Sequence, residues 1–237
     1  MSRRFLLALS LCAGLAAPAC AEPADGVYVV AAIQRLHASE PDYGYPQLRR
    51  ILDAVKPDVV VLEVRPEEAE ARGDTPGRPE YPNVVWPWLA DHPLPVISME
   101  PGGRAFAQMT GAAAAKFERF NKEKPAESAY MSSLRRSLSA ALQAHWRHPA
   151  DAHDRVTADL VRAETLAQTE LGGQAFKTGQ AAWDGYMVAR TREAIAAHPG
   201  KRILVLASYR NLDAFREGLK GEARLVDMEP WLRSAAP

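Results

Sequence analysis

Cysteine is almost missing from this chain of 237 residues, which holds only Cys12 and Cys20. Both fall in an apolar N-terminal stretch. The rest of the sequence therefore has no disulfide, no thiolate nucleophile and no sulfur-based metal site. An excess of charge is missing too: lysine plus arginine number 29, aspartate plus glutamate 29, with the signs interspersed. There is no polybasic footprint, so nucleic acid is not an expected partner. Beyond the N-terminal segment no apolar run approaches the ~20 residues that a membrane-spanning helix requires. The phosphate-binding loop G-x-x-x-x-G-K-[ST] and the dinucleotide fingerprint G-x-G-x-x-G are absent. So is a G-x-S-x-G nucleophile elbow around Ser208.

What is present starts with Arg3 and Arg4, an apolar run from Phe5 to Ala17, and the small residues Ala19-Cys20-Ala21. That order predicts a cleaved secretory signal peptide over residues 1–21. At about 13 residues the run is too short to span a bilayer. No Leu stands before Cys20 where a lipidation site usually has one. The expectation is a periplasmic or secreted protein with no stable membrane insertion after cleavage. Loss of Arg3 and Arg4 leaves two more acidic than basic residues. Residues 22–237 suit a single domain with a substantial core.

Val27–Ile33 is continuously apolar and rich in β-branched residues, as in a strand covered on both faces. Tyr45, Leu48, Ile51, Leu52 and Val55 recur at helical spacing, which predicts a helix over 45–56 stopped by Pro57. Val59–Leu62 is a second buried strand ending in Glu63. This strand–helix–strand order predicts a βαβ unit with parallel pairing. A charged helical turn and the loop GDTPGRPEYP precede a third strand, Pro95–Met99. From Ala105 to about His198 the pattern is helical, with breaks at Lys124-Pro125, His148-Pro149 and Gly172-Gly173. Arg202–Ala207 is a fourth strand. A helix carrying Leu212, Phe215 and Leu219 follows, capped by Asn211 and closed by Gly221. Ala223–Asp227 reads as a short final strand. The fold class is α/β: a mainly parallel sheet flanked by helices, with a helical insertion at about 105–198 between the third and fourth core strands.

Ligands of open parallel sheets bind beyond the carboxyl ends of the strands. That rule selects Gln34, Arg35 and His37 after the first strand, Glu63 and Arg65 after the second, and Glu100 after the third. After the fourth come Ser208, Tyr209, Arg210 and Asn211. Together they supply a base or ligand, carboxylates and cations, the ingredients of a polar pocket. The two-residue strand period puts Glu63 and Arg65 on one side, where an ion pair with each other or with Arg210 is the alternative to a role in binding. His145, His148 and His153 cluster in HWRHPADAH without completing a zinc signature, which favours a solvated helix end. Trp86 and Trp88 read as packing against the sheet in preference to lining a groove.

The order of these pieces resembles the Tiki/TraB/GumN group, within a wider superfamily that includes the erythromycin esterases and ChaN-like haem-binding proteins. The resemblance is carried by Gln34-Arg35-Leu36-His37, where the group has Gly-x-x-His, and by YPQLRRILDAVKPDVVVLEVRPEE. It is also carried by YMVARTREAIAAHPGKRILVLASYRNLDAF, which is similar to the group's closing helix, strand and second Gly-x-x-His segment. The resemblance implies metal-dependent hydrolysis through two histidines and a strand-end glutamate. Of these, His37 and Glu63 carry over as metal ligands. Gln34 and Ala207 stand in place of the two glycines, and Arg210 in place of the second histidine. A guanidinium has no lone pair to give a metal, whereas a catalytic metal usually has three protein ligands.

Two expectations follow. One is a hydrolase of a small molecule or peptide, with His37, Glu63 and Arg65 catalytic and with or without a divalent metal on His37 and Glu63. The other is a non-catalytic protein on a degenerate hydrolase scaffold, in which Arg65 and Arg210, with Glu100 and Tyr209, bind an anionic small molecule, or His37 contacts a ligand such as haem.

Overall fold

A strand with no polar face must be covered on both sides, and the runs singled out above are. The computed structural model describes residues 25–235; the signal peptide expected at 1–21 lies outside the described residues. β1 (Val27–Ala32), β2 (Val59–Leu62) and β4 (Ile203–Ser208) are buried along their whole length. β3 (Val96–Ser98) is half-buried. All pair in parallel, in the order β1-β4-β2-β3. The chain is an α/β protein.

The lateral order corrects the simple βαβ expectation. β1, α1 (Tyr45–Val55) and β2 follow one another in sequence, yet β4 lies between the two strands. An all-apolar strand gains most from a central place, with ladder partners on both edges, and sequence order does not reveal that place. The short β3 takes an edge. The final strand expected at 223–227 is reduced to one bridge, Val27 with Leu225. There Val27 N–H donates to Arg224 C=O (2.8 Å) and Val226 N–H to Val27 C=O (2.9 Å). Farther along, side chains seal the same edge: Ala31 N–H donates to His153 Nε2 (3.1 Å), and the Tyr43 hydroxyl donates to Ala31 C=O.

α1 buries Leu48, Ile51, Leu52 and Val55, the stripe read from the sequence. Past β2 come α2 (Pro66–Ala71), a π-helical turn at 81–85 and α3 (Trp86–Asp91). Trp86 and Trp88 lie in the core. Their indole N–H groups donate to Gly73 C=O (3.1 Å) and the Asp53 carboxylate (2.7 Å).

The segment between β3 and β4 is helical: α4 (Gly103–Glu123), α5 (Pro125–His145), a 3-10 turn at 149–153, α6 (Arg155–Gly172) and α7 (Gln174–Ala197). It breaks at the three expected places. α4 packs on α5 and α7, and α6 packs on the same two, so the four helices close a ring. The carboxyl-terminal half of α7 joins the core through Met187, Val188, Ala194 and Ile195.

After β4 a 3-10 turn at 209–211 leads into α8 (Leu212–Gly218). Asn211 does not cap it. The Ser208 hydroxyl accepts Arg210 N–H (3.3 Å) at the turn, and the Asn211 amide is engaged elsewhere. α8 also stops before Gly221, which has φ 90 in the turn beyond. α9 (Met228–Ala235), which the pattern did not announce, lays Trp231 edge-on against Tyr28 at 5.4 Å.

α7 and α8 meet at Gly218, where an added Cβ would lie 2.3 Å from Val188 Cγ1. Gly218→Ala is therefore expected to lower stability by about 1–3 kcal/mol through overpacking, despite alanine's better helix propensity. Val188→Ala in the same chain should recover part of the loss, so the two changes are non-additive in urea unfolding. Simple additivity would refute the contact.

Candidate functional site

The chain leaving β1 runs toward β2. The chain leaving β4 returns to the outer edge of β1, where Leu225 bridges Val27. These connections leave adjacent strands toward opposite edges of the sheet, and such a change of direction is where an open α/β sheet presents a ligand crevice. A cavity of 620 Å³ lies there. Ile33–Leu36 and Tyr209–Asn211 form its sheet side; Arg135, Glu164, Gln168, Gln180 and Asp184 from α5, α6 and α7 face them.

Glu164 organises this cavity. Its carboxylate is 3% exposed and accepts from Arg135 Nε (2.9 Å), Gln168 Nε2 (3.0 Å) and the Arg210 guanidinium. Arg210 also stacks over the Tyr209 ring at 5.1 Å, and Tyr209 packs edge-on against Trp146 at 5.4 Å. Arg135 remains half exposed and Arg210 about a third. One buried carboxylate thus holds two guanidiniums, leaving a net positive charge on the wall. Arg162, also on the wall, is matched by Asp159 and Asp213. Asp184 accepts from Gln180 Nε2 (2.8 Å), and burial raises its pKa.

His37 is not in this cavity. It is 2% exposed, its Nε2 accepts Ile33 N–H (3.0 Å), and its Nδ1 donates to Tyr43 C=O (2.7 Å). That fixes one neutral tautomer with both nitrogens engaged. Burial pushes its pKa down to about 4, against a smaller opposing effect of the Tyr43 carbonyl. Gln34, where the sequence resemblance would put glycine, has φ 55, so the tight turn into this segment keeps a left-handed residue.

Glu63 lies between the cavity and a second polar cluster. Its carboxylate accepts Ser208 N–H and the Asn211 amide (3.3 Å). Burial raises its pKa, with a smaller contribution from nearby Asp184. Its carbonyl accepts from Arg78, whose guanidinium also pairs with Glu100. Arg65 turns away. It caps α2, pairs with Glu68 (2.8 Å) and lies over the Phe106 ring at 4.6 Å. Because β2 ends at Leu62, the two-residue period does not extend to Glu63 and Arg65. They pair neither with each other nor with Arg210. Glu100 is buried, with its pKa raised to about 7 chiefly by desolvation.

The structure thus brings together Tyr209 and Arg210, with Glu63 behind Asn211. It leaves His37 in a network of its own, and it groups Glu100 and, through Glu68, Arg65 around Arg78, which also bonds the Glu63 carbonyl. The residues fit a divalent metal poorly. The His37 Nε2 lone pair and both Glu63 oxygens already serve N–H donors, and among the described residues no group of at least three His, Cys, Asp or Glu side chains is placed to hold a metal ion. The other histidines do local work. His145 bonds Asp154 (2.6 Å) and His148 Nδ1 accepts Ala150 N–H (3.1 Å). His153 is buried against β1, which corrects the reading of a solvated helix end.

Sequence reasoning missed Glu164, Arg135, Asp184 and Arg78. Glu164 carried a signal: it continues the buried stripe Thr157, Val161 along α6, a charge on an inward face. Arg78, in a Gly/Pro-rich loop, carried none. No family model, no curated protein and no solved structure matches the chain.

The lowered pKa of His37 gives a pH test. Unfolded, it protonates near 6.5; folded, near 4. Between these values only the unfolded chain binds the proton, so stability falls as pH drops through that window. The loss from this residue is of the order of 3 kcal/mol. Urea unfolding from pH 7 to pH 4 should show it, and His37→Ala, less stable at pH 7, should show a shallower acid loss. Equal slopes would mean that His37 titrates normally. Glu80 has the opposite sign. It is fully buried with neither carboxylate oxygen hydrogen-bonded, and desolvation raises its pKa to about 7. Glu80→Gln should stabilise the protein at pH 8 and lose that advantage by pH 4.5.

Proposed function

We propose that the protein binds a small anionic molecule in the crevice between β1 and β4, held by Arg210 and Arg135. The observation that carries this reading is the Glu164 carboxylate, which fixes both guanidiniums side by side on a concave wall. Arginine forks recognise carboxylate and phosphate groups by paired hydrogen bonds, and a fork already held in place loses little freedom on binding. The 620 Å³ volume lies within the range of small-molecule sites. A degenerate member of a Tiki/TraB/GumN-like scaffold, exported through residues 1–21, would suit such a binding role. An anion is a better ligand than haem here, because both nitrogens of His37 are engaged with backbone groups.

A hydrolytic reading rests on different residues from those first expected. Asp184 on the wall and Glu63 behind Asn211 are two carboxyls with burial-raised pKa values near two arginines, a usable acid–base arrangement. It predicts that Asp184→Asn removes turnover of small ester substrates while anion binding persists. Turnover that survives the substitution rejects it.

The binding reading is tested by thermal shift of residues 22–237 with acetate, butyrate, citrate and phosphate. A ligand at about 100 times its Kd adds about 2.7 kcal/mol, or roughly 5–10 °C in Tm for a chain of this size. At least one anion should give a saturable rise. Arg210→Met should weaken its affinity about tenfold or more, the worth of a charge-assisted hydrogen bond. No saturable shift with any of them would remove the reading.

A further inference from the structure

A second cavity, of 580 Å³, lies inside the ring formed by α4–α7. It shares Arg135, Thr165, Gln168 and Gln180 with the crevice, so the two spaces adjoin along one wall. Away from that wall its lining is mostly apolar, with Met109 and Phe117 from α4 and Phe176 and Trp183 from α7, and among the described residues Lys116 is the one charged side chain there. Thr110, Thr165 and Thr169 also line it. Each hydroxyl donates to the carbonyl four residues earlier (2.8, 3.0 and 2.9 Å), leaving the methyl as the unengaged part of the side chain. A ring of four helices ordinarily fills its centre with interlocking apolar side chains. This one instead leaves a space large enough for a ligand.

The geometry points to an amphipathic ligand, and we infer that it is an acyl-chain carboxylate. Its head would meet Arg210 and Arg135 in the crevice, and its tail would lie among Met109, Phe117, Phe176 and Trp183. This rests on the anion-binding reading and extends it to the class of molecule. The paired arginines lie at the crevice end of this space and most of the apolar surface lies beyond them, as head and tail do in such a molecule. Along α7, from Asp184 in the crevice to Phe176 at the far end, the rise is ~12 Å, the reach of a chain of about ten carbons.

Isothermal calorimetry of residues 22–237 with butyrate, decanoate and decanol tests this. Burial of even half of the additional methylenes makes decanoate bind about 50-fold more tightly than butyrate. Decanol, lacking the carboxylate, should bind about tenfold or more weakly than decanoate. Phe117 is partly exposed on α4, so Phe117→Glu is tolerated by the fold and should cut decanoate affinity about tenfold or more. Equal affinities for butyrate and decanoate overturn the inference while leaving the anion site intact. Decanol binding as tightly as decanoate also overturns it, because the head would then not be read. Absence of binding by both carboxylates removes the anion site and the inference with it.

Discussion

A parallel sheet that ends inside a protein leaves its last N–H and C=O groups beyond the reach of the ladder, and each must find a partner. That constraint shapes one whole end of this molecule. Ile33 N–H goes to His37, Ala31 N–H to His153 and Ser208 N–H to Glu63. Ala31 C=O takes the Tyr43 hydroxyl, and Glu63 C=O takes Arg78. Side chains that look like reagents in a list of residues are here the ends of the sheet's hydrogen-bond pattern. Their burial follows from that role, and burial displaces their pKa values: it lowers those of His37 and His153, and it raises that of Glu63 against the opposing Ser208 N–H bond.

The elements were largely legible. Continuous apolar runs gave three of the strands, helical spacing gave α1, and Pro125, Pro149 and Gly173 marked the breaks of the insertion. The rule that ligands lie beyond strand carboxyl ends led to Tyr209 and Arg210, which do line the crevice. It also led to His37 and Glu63, which end up bonded to the main chain. The difference is set by loop path: His37 folds back within a few residues onto Ile33 and Tyr43, and residue type does not encode that return. The place of β4 between β1 and β2 was invisible for a related reason, since every core strand is apolar enough to be central. Glu164 and Asp184 lie far from any strand end in sequence, and only the folding of α6 and α7 over the sheet brings them to it.

The crevice shows how a buried acid shapes a cationic wall. A carboxylate as buried as Glu164 needs several donors, and it has Arg135, Gln168 and Arg210. The two guanidiniums share one counter-charge, so neither is fully neutralised, and both are fixed before anything arrives. The insertion contributes more than a cover. It carries Glu164 and Arg135, and the space left among its helices continues the crevice.

The side-chain seal on the outer edge of β1 bears on association between copies. VYVVAA is uncharged, β-branched and free of proline and glycine, the composition that favours strand-to-strand stacking when an edge is bare. What keeps another strand off is the turn at 149–153 bearing His153. That turn is tied down by Asp151, which accepts from Arg147 N–H (2.7 Å), His148 N–H (2.9 Å) and Arg233 (2.9 Å). Asp151 never touches the strand, yet its bonds hold the group that does. A carboxylate in a short turn thus helps keep a β-edge covered, beside the Leu225 bridge and the Tyr43 hydroxyl, and its loss would uncover strand surface without touching the core.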